Sequence, residues 1–140
     1  MDDWARLCEL LDDDPELAPA VLRAAAGDDE PWTALIDGID DAGALAYLDA
    51  EDTGVELADA LPQVPRVFAA GVDVDEVGDV EGDLTAAIVR ADAILAPHGL
   101  RIVYLEEDSD AYPLVVVPLS HVTEILEIAA RLGSTARTFS

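Results

Sequence analysis

The sequence predicts an α+β domain in which N-terminal helices precede a small, mainly antiparallel sheet with helices packed on it. Two observations lead. Apolar residues recur at helical spacing through most of the N-terminal half. Two strand-length apolar runs, at 100–105 and 112–117, then flank the acidic stretch 106–110, which is the pattern of a hairpin. A third observation sets the domain count. The 140 residues hold no internal repeat and no linker long enough to split them, so 1–140 reads as one domain with an acidic loop at 71–83.

Each element has a local reason. Asp2 or Asp3 caps a first helix whose stripe is Trp4, Leu7, Cys8 and Leu11. Asp14-Pro15-Glu16 opens a second, with proline at the first helical position and carboxylates at the positive helix end. Its stripe is Leu17, Val21, Leu22 and Ala25, and Gly27 stops it. Glu30-Pro31 repeats the opening for a third helix, in which Leu35, Ile36 and Ile39 face inward until Gly43. Residues 44–49 read as a short strand. Thr53-Gly-Val-Glu56 is a capping box starting a short helix through Leu57 and Leu61, which Pro62 and Pro65 terminate. The glycine-punctuated acidic stretch 71–83 reads as a solvated loop. Asp83 caps a helix with Leu84, Ala87, Ile88, Ala91, Ile94 and Leu95 on one face, closed by His98-Gly99. After the hairpin, a last helix from Pro118 or Leu119 to Leu132 presents Leu119, Val122, Ile125, Leu126 and Ala129, and 135–139 reads as a closing strand.

Charge is the most uneven property of the chain. Thirty-one carboxylates stand against seven arginines and no lysine, a formal charge of −24. Residues 1–83 carry 24 acids and three arginines, hence −21 of that total. Such a surface repels nucleic acid and anionic membrane and attracts basic partners, over a reach of about 8 Å at physiological salt. A GC-rich coding sequence or adaptation to salt can account for the acid content as a whole; a dedicated basic partner is the competing explanation, because general adaptation should not concentrate the charge in residues 1–83. At 51% apolar residues the chain has enough material for a core, and the acids are expected outside it. No apolar run reaches the length of a membrane span, the N-terminus is acidic where a signal peptide is basic, and a single cysteine excludes an internal disulfide. These features lead to the expectation of a cytoplasmic protein.

Two segments have a familiar form. One is Pro31-Trp-Thr-Ala-Leu-Ile-Asp-Gly-Ile39, followed by a short apolar strand. The other runs from Ala96-Pro-His-Gly99 through the hairpin, with its Asp-Ser-Asp-x-Tyr turn, to Pro118. Together they resemble the bacterial family known as domain of unknown function number 6630, over roughly residues 31–137. The resemblance implies an α+β fold and assigns no catalytic residue.

Several constellations invite a chemical reading. Asp108 and Asp110, two residues apart at the hairpin tip, can share a cation through oxygen ligands, although Asp-Ser-Asp is also ordinary turn chemistry. The stretch starting at Asp73 opens like a calcium loop but has Val77 and Leu84 at ligand positions, so the match fails. His121 and Glu124 share a helix face but lack further ligands nearby in sequence. His98 reads as a helix terminus, Cys8 as a buried thiol, and Trp4 and Trp32 as packing residues. No nucleophile, phosphate-loop or cofactor motif is present.

The leading reading is therefore a non-enzymatic binding module of the inhibitor, immunity-protein or adaptor kind, without a cofactor. It docks a basic protein rather than nucleic acid or membrane. Asp12, Asp13, Asp14, Asp28, Asp29 and Glu30, at the ends of the second helix, form the expected contact surface. Two competing readings are a divalent-cation-binding domain or metal-dependent enzyme centred on Asp108 and Asp110, and a structural subunit. The oligomeric state is left open.

Overall fold

The computed structural model describes residues 3–11, 17–27, 30–41, 43–49, 51–106 and 111–138, with Ala25 described for its backbone only. Among these, seven α-helices and four strands follow in the order α1 (Asp3–Leu11), α2 (Leu17–Ala26), α3 (Pro31–Asp41), β1 (Leu45–Asp49), α4 (Gly54–Ala60), α5 (Pro65–Ala70), α6 (Leu84–Leu95), β2 (Leu100–Leu105), β3 (Ala111–Pro118), α7 (Val122–Arg131) and β4 (Ala136–Arg137). The strands form one antiparallel sheet in the order β1-β3-β2-β4, so the β2–β3 hairpin is its centre. Val103 lies opposite Val115, and Leu45 pairs with Val115 from the other side. The fold is α+β.

Strand side chains alternate between two buried layers. Leu45, Val103, Leu105, Val115 and Val117 join one cluster with Leu7, Leu11, Leu35, Ile39 and Ile125, residues of α1, α3 and α7. Ala46, Leu48, Ile102, Leu114 and Val116 join the other with Leu57, Val67, Ile88 and Leu95 of α4, α5 and α6. Both faces of the sheet are thus covered, which explains why β2 and β3 read as continuous apolar runs instead of alternating ones.

Local signals start and stop these elements. The capping box forms as its residues require: the Glu56 carboxylate accepts from the Thr53 N–H at 2.8 Å, and the Thr53 hydroxyl accepts from Val55. Asp83 Oδ1 accepts from the Ala86 N–H at 3.1 Å and caps α6. Beyond α6 a 3₁₀ turn (Ala96–His98) ends on Gly99, whose φ of 76° is open to glycine at little cost.

The structure corrects four readings. Pro65 does not end a helix but opens α5, because its fixed φ suits the first helical position. Residues 71–83 are not a bare loop: a 3₁₀ turn (Asp75–Asp79) buries Val74 and Val77 against α4 and α6 while its carboxylates stay exposed. Leu119 belongs to a 3₁₀ turn ahead of α7 and is 52% exposed, outside the apolar stripe. One acid is inside. Asp92 of α6 is 3% exposed, and its Oδ1 and Oδ2 each accept from Arg101 Nε at 3.0 Å. Oδ1 also takes the Ile102 N–H at 2.9 Å, which closes an edge of β2 beyond the reach of β4.

Candidate functional site

Six of the seven arginines are spent holding elements together. Arg6 of α1 grips Glu124 of α7 with two nitrogens, at 2.6 and 3.0 Å, and this pairing raises the arginine's pKa further and lowers that of the glutamate. Arg131 of α7 reaches back to Asp3 at 3.4 Å. Arg66 of α5 donates to the Leu11 and Val116 carbonyls, at 3.1 and 3.2 Å, linking α1 to β3. Arg90 pairs with Glu76 at 2.6 Å, Arg101 with Asp92, and Arg137 with Glu106 at 3.5 Å. Arg137 also sits 5.3 Å from the centre of the Tyr104 ring. Arg23 is the exception: among the described residues it has no ion-pair partner.

Because the arginines are committed in this way, the carboxylates of residues 30–83 stay largely without cationic neighbours. Asp37, Asp40, Asp49, Asp59, Asp73 and Asp79 are all exposed, and among the described residues none pairs with an arginine.

Arg23 lines a groove of about 620 Å³ between α2 and α3. Spacing explains the lining. Ala20, Arg23 and Ala24 lie at i, i+3 and i+4 on α2, and Glu30, Thr33, Ala34 and Asp37 continue the same pattern into α3. The two helices run antiparallel at close range, because a Cβ at Gly38 near the end of α3 would come 2.6 Å from Leu17 Cδ1 at the start of α2. The alanines form an apolar floor, with Arg23 on the α2 wall and Glu30 and Asp37 on the α3 side.

Of the acids expected at the contact surface, Glu30 is exposed and borders this groove, whereas Asp12, Asp13, Asp14, Asp28 and Asp29 lie outside the described residues. Asp108 and Asp110 also lie outside them, and among the described residues no three His, Cys, Asp or Glu side chains converge as a metal site. His121 and Glu124 have different hydrogen-bond partners. The His121 ring Nδ1 is 3.1 Å from the Leu10 carbonyl, while Glu124 serves Arg6. Cys8 is buried and His98 exposed. Trp4 and Trp32 pack with ring centres 6.5 Å apart, and Trp32 Nε1 donates to the Glu106 carbonyl at 2.8 Å, so both hold α1 and α3 against the end of β2.

Sequence reasoning missed two polar residues. Asp92 stands four residues after Ile88 and three before Leu95, a buried helical position that marks it as paired. Arg23 carries a weaker signal, an arginine followed by Ala24, Ala25 and Ala26 and set on the face opposite Leu17 and Val21.

Fold and surface together define an acidic α+β domain: a four-stranded antiparallel sheet covered on both faces, whose arginines serve as internal clamps. Among the described residues, no helix is long and apolar enough to cross a membrane. The chain belongs to the family described as Domain of unknown function (DUF6630), whose model matches residues 3–139 and so extends beyond the two segments that first carry the likeness. No curated protein and no solved structure matches it.

Proposed function

We propose that this domain works in the cytoplasm by binding, docking a basic protein surface through the acidic N-terminal part of the chain. The observation that carries the reading is the use of the arginines. Five form ion pairs and a sixth caps backbone carbonyls, so the fold neutralises few of its own acids and leaves a field for an external cationic partner. Charge complementarity of this kind speeds encounter and rejects wrong partners, while affinity comes from a smaller apolar contact. The lopsided charge supports the same reading, with −21 of −24 in residues 1–83.

The test begins with what co-purifies from native lysate at low and high salt, followed by surface-based kinetics on that partner. Converting Asp12, Asp13, Asp14, Asp28, Asp29 and Glu30 to amides should slow association and flatten its salt dependence, with little change in dissociation. The same treatment of Glu106, Glu107, Asp108 and Asp110 should do less. Association that ignores salt, or a larger effect from the hairpin set, overturns the reading.

A further inference from the structure

The groove between α2 and α3 narrows the class of partner, on the premise that the domain docks a basic protein. We propose that it seats one amphipathic α-helix of that protein. This helix carries Arg or Lys at two positions two turns apart, an apolar stripe between them, and an acidic residue on the opposite flank.

Several features of the groove lead there. Glu30 and Asp37 are seven residues apart, and the Glu30 carbonyl accepts the Ala34 N–H at 3.1 Å, so helical spacing already applies from Glu30. That places the two acids about 10.5 Å apart along the axis, the rise of two helical turns. A partner helix lying along the groove presents side chains at the same period, so cations at i and i+7 meet both acids together. The floor is Ala20, Ala24 and Ala34, and small residues let a third helix approach to the short end of the usual 8–10 Å range. The walls are helices whose own backbone groups are already bonded within each helix. An extended peptide would find no ladder there, whereas a helix arrives with its backbone satisfied.

Charge selects among occupants. A second copy of this chain brings another −24 and is repelled. A uniformly basic segment meets Arg23 on the α2 wall. A helix with an acid facing Arg23 and cations facing Glu30 and Asp37 matches both walls.

Binding of labelled synthetic peptides, read by fluorescence anisotropy, tests this directly. The probe is an alanine- and leucine-based helix of about 18 residues, long enough to be helical in water. It has arginines at i and i+7 and a glutamate on the opposite flank. Controls are the same composition with a central proline and a version with the arginines at i and i+5. The helical i, i+7 peptide should bind best. Glu30→Gln and Asp37→Asn should each weaken it about two- to fivefold. Ala34→Leu, which fills the floor, should weaken it about tenfold or more. Arg23→Glu should remove the preference for the glutamate-bearing peptide over one with glutamine there. Ala34→Leu is checked by circular dichroism, and the surface charge variants keep the test independent of its folding. If all basic peptides bind alike and only amides at Asp59, Asp73 and Asp79 weaken them, the groove proposal fails while acidic docking stands. If no basic peptide binds even at low salt, both fail.

Discussion

Gly54 has no room for a side chain. It is buried at the first position of α4, and a methyl group there would collide with the Val77 carbonyl of the neighbouring 3₁₀ turn and crowd Ala87. Backbone cannot swing aside as a side-chain tip can, so Gly54→Ala should cost about 2–3 kcal/mol, the upper part of the range for overpacking. Urea denaturation measures it, and a loss near zero would mean that the turn is not held against α4. The neighbouring capping box makes a pH prediction. Hydrogen bonds from the Thr53 hydroxyl and N–H hold Glu56 below the usual carboxylate range. A carboxyl with a depressed folded pKa adds stability above its unfolded value, near 4.5, and loses it as pH falls through the folded one. The difference in Tm between the wild type and Glu56→Ala should therefore be largest at about pH 6 and shrink below about pH 4.5. A gap that is constant with pH would mean that the carboxylate charge plays no part in the cap.

At the scale of elements, the hairpin and α7 together define the centre of the fold, but their key residues face opposite ways. Val116 belongs to the layer under α4, α5 and α6, while Ile125 of α7 belongs to the layer with α1 and α3. Ile125 is fully buried, so Ile125→Ala should cost about 2–5 kcal/mol in equilibrium unfolding. A loss within error of zero would place the core elsewhere. Helices such as α6 were legible in the sequence because their stripes and caps are local: Asp83 and Leu84, Ala87, Ile88 and Ala91 specify it without reference to the rest of the chain. Turns within 71–83 were not, because Val74 and Val77 are two isolated apolar residues whose burial depends on α4 and α6 being beside them. Pro65 can end one helix or begin the next, and Val64, buried just before it, decides between these only through packing. The candidate site divides the same way. Glu30 was readable from its charge and position, but the groove it borders exists only once α2 and α3 pack through Gly38.

The molecule as a whole sets two electrostatic effects against each other. Clamps such as Arg6–Glu124 and Arg90–Glu76 have side chains roughly half exposed, so added salt screens and weakens them. Against them stands the mutual repulsion of 31 carboxylates balanced by seven arginines, and salt screens that as well. Repulsion acts among many more pairs than the clamps do, and the innermost ion pair, Asp92 with Arg101, is largely shielded from solvent ions. Repulsion should therefore dominate, and Tm should rise with NaCl. The rise should also exceed that of a variant in which exposed acids such as Asp37, Asp40, Asp59, Asp73 and Asp79 are amides. Thermal unfolding in increasing NaCl measures both. If Tm instead falls, the arginine clamps outweigh the repulsion, and the acidic surface is less available to a basic partner than the proposed docking requires.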